Sequence, residues 1–109
     1  MAIKLTTYQK DLVESLKNPR EAAAYLNAAM EEGDRAVFLL ALRNIAEAHG
    51  GIAAIAEKAN MNRENLYRIF SRRGNPEIKS VLKILQSIGL SLTVSPKKRS
   101  SRSHPKRAA

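Results

Sequence analysis

The 109-residue chain contains no cysteine and no tryptophan, and only 5% of its residues are aromatic. Without cysteine there is no disulfide, no thiolate nucleophile and no cysteine-ligated zinc. The longest uninterrupted apolar run, Ala36 to Leu42, falls far short of a bilayer span, and the N-terminus has no long apolar stretch of the signal-peptide kind. These absences predict a cytoplasmic protein with no membrane segment. Neither His49 nor His104 has an Asp or Glu at metal-ligand or triad spacing, so no metal, no cofactor and no catalysis are expected. A chain this short buries one modest core, which argues against a two-domain enzyme with a deep cleft.

What the chain has in excess is positive charge, 19 Lys+Arg against 10 Asp+Glu for a net of +9. Its distribution is uneven. Residues 1–57 carry 6 basic and 8 acidic side chains, residues 58–94 carry 7 and 2, and residues 95–109 carry 6 and none. The segment nets are therefore −2, +5 and +6. A polyanionic partner is expected to meet the second half of the chain.

Helical periodicity dominates the rest. Thr7 precedes a pattern with Tyr8, Leu12, Val13 and Leu16 on one face, ending near Lys17 before Asn18-Pro19. Asn18 is a cap, Pro19 suits the first helical position, and Glu21 sits at capping-box spacing ahead of an Ala-rich helix that stops at Gly33. Asp34 caps a third helix carrying Phe38, Leu42, Ile45 and His49, and Gly50-Gly51 ends it. As the longest and most apolar, it should be central. Ile52, Ile55, Ala56 and Ala59 then form a narrow stripe on a short helix. Asn60 tolerates a left-handed turn. Asn62 caps the next helix, with Met61 and Leu66 spaced as a hydrophobic staple. Asn75-Pro76 repeats the cap-then-proline start for a last helix whose stripe is Ile78, Val81, Leu82, Leu85 and Ile88, closed by Gly89. Leu90 to Val94 alternates with period two, which predicts one short strand stopped by Pro96. From Ser95 onward almost nothing is apolar, so residues 95–109 are expected to form a disordered basic tail.

The fold class expected is thus all-α, a helical bundle with one short C-terminal β-strand. Within it, residues 52–59 and 63–72 read as two short helices joined by a three-residue turn, the geometry of a helix-turn-helix. With Leu66, Ile69 and Phe70 turned inward, Glu64, Arg68, Ser71 and Arg72 face outward and Arg63 and Tyr67 flank them. The stretch from Ile52 to Leu92, with Ala56, Asn62, Leu66, Gly74-Asn75-Pro76 and Ile88-Gly89-Leu90, resembles the Xre or lambda-repressor-like helix-turn-helix superfamily. Upstream, Leu16-Lys17-Asn18-Pro19, Ala22 to Ala29 and Ala41-Leu42-Arg43-Asn44-Ile45-Ala46 resemble addiction-module antidote proteins, the HigA-like antitoxins of type II toxin-antitoxin pairs. The resemblance spans roughly residues 8–94. It implies a toxin partner of the RelE/HigB-like ribonuclease class or its ParE-like relatives, and repression of the pair's own promoter. Two positions depart from the superfamily pattern. Asn60 stands where Gly is usual, and Gly51-Ile52 replace the Gln from which a phosphate contact is commonly made.

Three segments follow: 1–33, an N-terminal helical toxin-binding region; 34–94, the helix-turn-helix domain; and 95–109, the basic tail. The expected double-stranded DNA contacts are Asn62, Arg63, Glu64, Tyr67, Arg68, Arg72 and Arg73. Arg63, near the helix start, suits bidentate pairing to guanine, whereas Arg72 and Arg73 suit phosphates. Glu64 and Arg68 equally fit an i,i+4 surface pair with no part in recognition. Tyr8, Leu12, Leu16 and Tyr25, with the acids Glu14, Glu21, Glu31 and Glu32, are the expected toxin-binding set, since this half complements a cationic partner; the competing reading is that these helices only buttress the core. Leu90, Leu92 and Val94 are the expected interface of a homodimer on a palindromic operator, strand paired with strand. Ser95-Pro96-Lys97-Lys98 resembles a minor-groove motif of linker histones, with a non-specific tether as the plainer reading. The alternatives are a phage-type repressor without a toxin, an inhibitor acting through protein contacts alone, and an RNA-binding protein.

Overall fold

Capping chemistry places most of the helix boundaries. The computed structural model describes residues 2–71 and 73–97, with side chains from Thr7 onward. Helix α1 runs Ala2–Ser15. Thr7 therefore lies inside the first helix rather than ahead of it, and Ile3-Lys4-Leu5 is helical as well. Helix α2 is Pro19–Glu31. Asn18 holds an extended backbone and its Oδ1 accepts from the N–H groups of Arg20 (2.8 Å) and Glu21 (3.3 Å). The box is not closed from Glu21, because the Asn18 N–H already donates to the Ser15 carbonyl at 3.2 Å.

Helix α3, Arg35–Ala48, starts where Asp34 Oδ1 accepts from the Ala36 N–H at 2.8 Å. It ends as the Gly51 N–H returns to the Ala46 carbonyl at 2.9 Å, with Gly50 and Gly51 both at positive φ. It packs against α1, α2 and also α4 (Ile52–Ala59). Leu42 and Ile45 are fully buried at its centre. Helix α4 packs in turn against α5 (Arg63–Ile69) and α6 (Ile78–Ser87). Buried side chains from Leu16 through Leu26, Ile55, Leu66 and Ile84 to Ile88 join one apolar cluster, so all six helices share a single core. Each fully buried leucine or isoleucine contributes on the order of 1.5–3 kcal/mol by leaving water.

Three expectations fail, each for a local reason. Helix α5 stops at Ile69 rather than at residue 72. Both the N–H and the Oγ of Ser71 bond the Arg68 carbonyl, and the Gly74 N–H bonds the Ser71 carbonyl, so the chain turns away there. Helix α6 begins at Ile78 with Glu77 in the cap position, not at Asn75-Pro76, because Gly74 is pinned against the end of α5 and the next residues must span to α6. No β-strand occurs among the described residues. The Leu90 N–H caps α6 through the Leu85 carbonyl at 2.8 Å, and no described backbone offers a ladder to the residues after it. The alternation does not mark a buried face either, since of its three apolar residues only Leu90 packs against the core. Leu90 is half-buried, Leu92 shares a cleft with Leu26 and Met30, and Val94 is 95% exposed.

Candidate nucleic-acid interface and partner surface

The turn between α4 and α5 is fixed by backbone hydrogen bonds before any side chain acts. Asn60 is left-handed (φ 56°, ψ 50°), and is the only non-glycine residue at positive φ among those described. Its N–H donates to Glu57 at 3.2 Å and the Met61 N–H donates back to Ala56 at 2.8 Å, the paired bonds of a Schellman stop. One residue later Asn62 is extended and its Oδ1 accepts from the Asn65 N–H at 3.1 Å, starting α5. Met61 is half-buried against the core that Leu66 enters, as a staple requires.

Helix α5 is short, but Leu66, Ile69 and Phe70 are all buried, which holds its orientation from beneath. Arg63, Glu64, Tyr67 and Arg68 are exposed on its other sides, as are Asn62 before it and Arg73 after it. Arg72 and residues 98–109 of the tail lie outside the described residues. No ion pair joins Glu64 to Arg68; among the described residues the pair formed is Lys17 Nζ with Glu14 Oε1 at 3.0 Å. The exposed guanidiniums of this face are therefore not paired with a carboxylate.

The N-terminal residues singled out as partner contacts divide. Leu16 is 1% exposed and Leu12 is half-buried against the core, so both hold the bundle together. Tyr25 is half-buried and its hydroxyl accepts from Asn44 Nδ2 at 2.9 Å. Tyr8 is 68% exposed. Two residues absent from the expected set connect these helices: Gln9 Nε2 donates to Asn44 Oδ1 at 3.2 Å, so a polar chain ties α1, α3 and α2. Beside it, an open groove of about 1020 Å³ runs between α1 and α3, with Val13 and Leu40 among its apolar lining and Asp11, Glu47 and Arg43 among its charges. Leu40 is 58% exposed. The run Ala36–Leu42 concealed this feature, since an unbroken apolar stretch reads as core throughout. Glu31, Glu32 and Asp34 are exposed at the α2–α3 turn. No group of three or more Asp, Glu or His suited to a metal forms among the described residues.

These features define an all-helical protein that presents a short Arg-bearing helix on one side of its core and an open groove of mixed apolar and charged lining on another. The chain belongs to the family described as "probable addiction module antidote protein", whose model matches residues 6–96. It is also similar to an uncharacterized protein of Haemophilus influenzae, with 34% identity over 84 residues, covering 77% of this chain and 86% of that one. No solved structure matches it. Membership brings with it the role of an antitoxin in an addiction module, and no described helix is long and apolar enough to cross a membrane.

Proposed function

We propose that the chain is a sequence-specific DNA-binding antitoxin of the HigA-like type, which neutralises a RelE/HigB-like or ParE-like toxin by direct contact and represses its own promoter. The observation that carries the DNA part is α5. Its inner side is locked by three buried apolar residues while Arg63, Glu64, Tyr67 and Arg68 stand exposed, after a turn with no slack. With α4 it forms a helix-turn-helix of the lambda-repressor-like kind, and a helix of this width fits the major groove. The charge split supports the same division of labour, −2 over residues 1–57 against +5 over residues 58–94. The chain works in the cytoplasm as a homodimer on a palindromic site, and it is not an enzyme.

Gel-shift titration of the full chain with its own promoter and with a scrambled duplex tests the DNA part. Arg63→Ala should weaken the specific complex by roughly 1–3 kcal/mol. Equal affinity for both duplexes sinks sequence-specific repression. Co-purification with the product of the neighbouring reading frame tests the toxin part, and a phage-type repressor would bring down no partner.

A further inference from the structure

The cavity that flanks α5 separates Arg68 from the other exposed residues of that helix. It encloses about 450 Å³ between the end of α5, residues 73–77 and the first turn of α6. Arg68, Arg73, Asn75, Glu77 and Ser80 line it, whereas Arg63, Glu64 and Tyr67 do not. The division follows from helical geometry. At 100° per residue Arg68 stands between the outward Glu64 and the side bearing Asn65 and Ile69, which looks toward the loop, while Arg63 and Tyr67 lie on the far side.

Two things make this cavity suited to an anion. Glu77 forms no ion pair with either guanidinium, so the residues that line the cavity carry two positive charges against one negative. Glu77 caps α6 with its backbone only, its carbonyl accepting from the Ser80 and Val81 N–H groups, so the Ile78 and Lys79 N–H groups, between the lining residues Glu77 and Ser80, have no side-chain acceptor.

Resting on the DNA-binding reading above, we propose that Arg68 and Arg73 together clamp one DNA backbone phosphate in this pocket. Arg68 is then a positioning residue that sets the seat of α5 on the duplex, and base discrimination falls to Arg63, Glu64 and Tyr67. Phosphate contacts fix register and carry no sequence information directly, whereas base-edge contacts carry it.

The test uses a duplex enriched from a random library by the full wild-type chain, and a scrambled duplex of equal length, each titrated across a salt series. Arg68→Ala should weaken both complexes by a similar factor, leave their affinity ratio within about twofold, and flatten the plot of log affinity against log salt by about 0.9. Arg68→Lys should restore most of the slope, because a phosphate accepts a point charge. Arg63→Ala should reduce the affinity ratio by about tenfold or more. If Arg68→Ala lowers the ratio as Arg63→Ala does, or leaves the slope unchanged, the clamp is wrong while the DNA-binding reading stands. If no duplex is enriched, the DNA-binding reading itself fails and the clamp fails with it. A slope that falls equally in 10 mM inorganic phosphate for wild type and Arg68→Ala also overturns it, since free phosphate should compete only where the clamp exists.

Discussion

Gly74→Ala should damage this protein more than its modest chemistry suggests. A Cβ at that position would stand 1.8 Å from the Ile69 carbonyl oxygen, 2.7 Å from its carbon and 3.1 Å from the Arg68 oxygen. All three are backbone atoms, so no rotamer change relieves the clash; the loop must move by roughly 1.6 Å to reach ordinary contact of 3.4 Å. Two effects oppose each other. Alanine restricts the unfolded chain and returns about 0.4–1 kcal/mol, since Gly74 does not hold a positive φ. Overpacking against rigid backbone costs about 1–3 kcal/mol, and the absence of any yielding side chain puts this case at the upper end. The net loss is about 2 kcal/mol, a fall of roughly 8–16 °C in Tm for a domain of this size. Thermal unfolding by far-ultraviolet circular dichroism measures it. Gly89→Ala is the comparison: φ is +80° but nothing lies within 4 Å, so only left-handed strain of about 1 kcal/mol applies. A Gly74→Ala chain that melts at or above wild type, or above Gly89→Ala, refutes the close approach.

Other perturbations follow the same logic. Asn62→Ala removes the acceptor for the Asn65 N–H and should cost about 1 kcal/mol in denaturant titration, with Asn62→Asp retaining most of it. Leu42→Ala, at a site with no exposure, should cost about 2–5 kcal/mol by the same measurement. Ending the chain after Ser95 removes six basic residues and no acidic one, and should flatten the salt dependence of DNA binding while sparing the ratio of specific to scrambled affinity; unchanged slopes place the tail away from DNA. Sedimentation at micromolar concentration tests the homodimer, and a chain that stays monomeric both free and on operator DNA excludes it.

Local signals carried much of the helical pattern in the sequence. Asn18, Asp34 and Asn62 each accept a backbone N–H where their spacing put a cap, and Asn60 holds the left-handed turn that an Asn tolerates. Such features depend on a few adjacent residues. What the sequence hid depends on contacts between distant ones. The stripe Ile78, Val81, Leu82, Leu85 and Ile88 is continuous on paper, yet only Val81, Leu85 and Ile88 are buried in the core while Ile78 and Leu82 are exposed. Period-two alternation at Leu90–Val94 matches a strand on spacing alone, yet only Leu90 packs on the core and no strand occurs among the described residues to pair with it. Around α5, the outward face was legible from helical spacing. The cavity that sets Arg68 apart was not, since it exists only where residues 73–77 fold back toward Ser80.

The shared core decides how a toxin-binding surface on the N-terminal helices can be tested. Deleting residues 1–32 looks like the direct experiment, but those residues bury Leu16, Ala22, Leu26 and Ala29 in the same cluster as Leu42 and Ile45 of α3. Four buried apolar side chains lost together, two of them leucines worth about 1.5–3 kcal/mol each, remove much of the 5–15 kcal/mol that holds a domain folded. The truncated chain should therefore lose DNA binding along with any neutralisation, and would say nothing about where a partner sits. Exposed positions avoid this. Tyr8→Asp and Leu40→Asp alter side chains that are 68% and 58% exposed, one on α1 and one lining the α1–α3 groove, so each should shift Tm by no more than a few degrees. If a toxin occupies this face, a carboxylate placed in its apolar contact should cost at least tenfold in toxin affinity while operator affinity stays within twofold. Folded double variants that neutralise the toxin as well as wild type would move the partner surface elsewhere, with the exposed acids at the α2–α3 turn next in line.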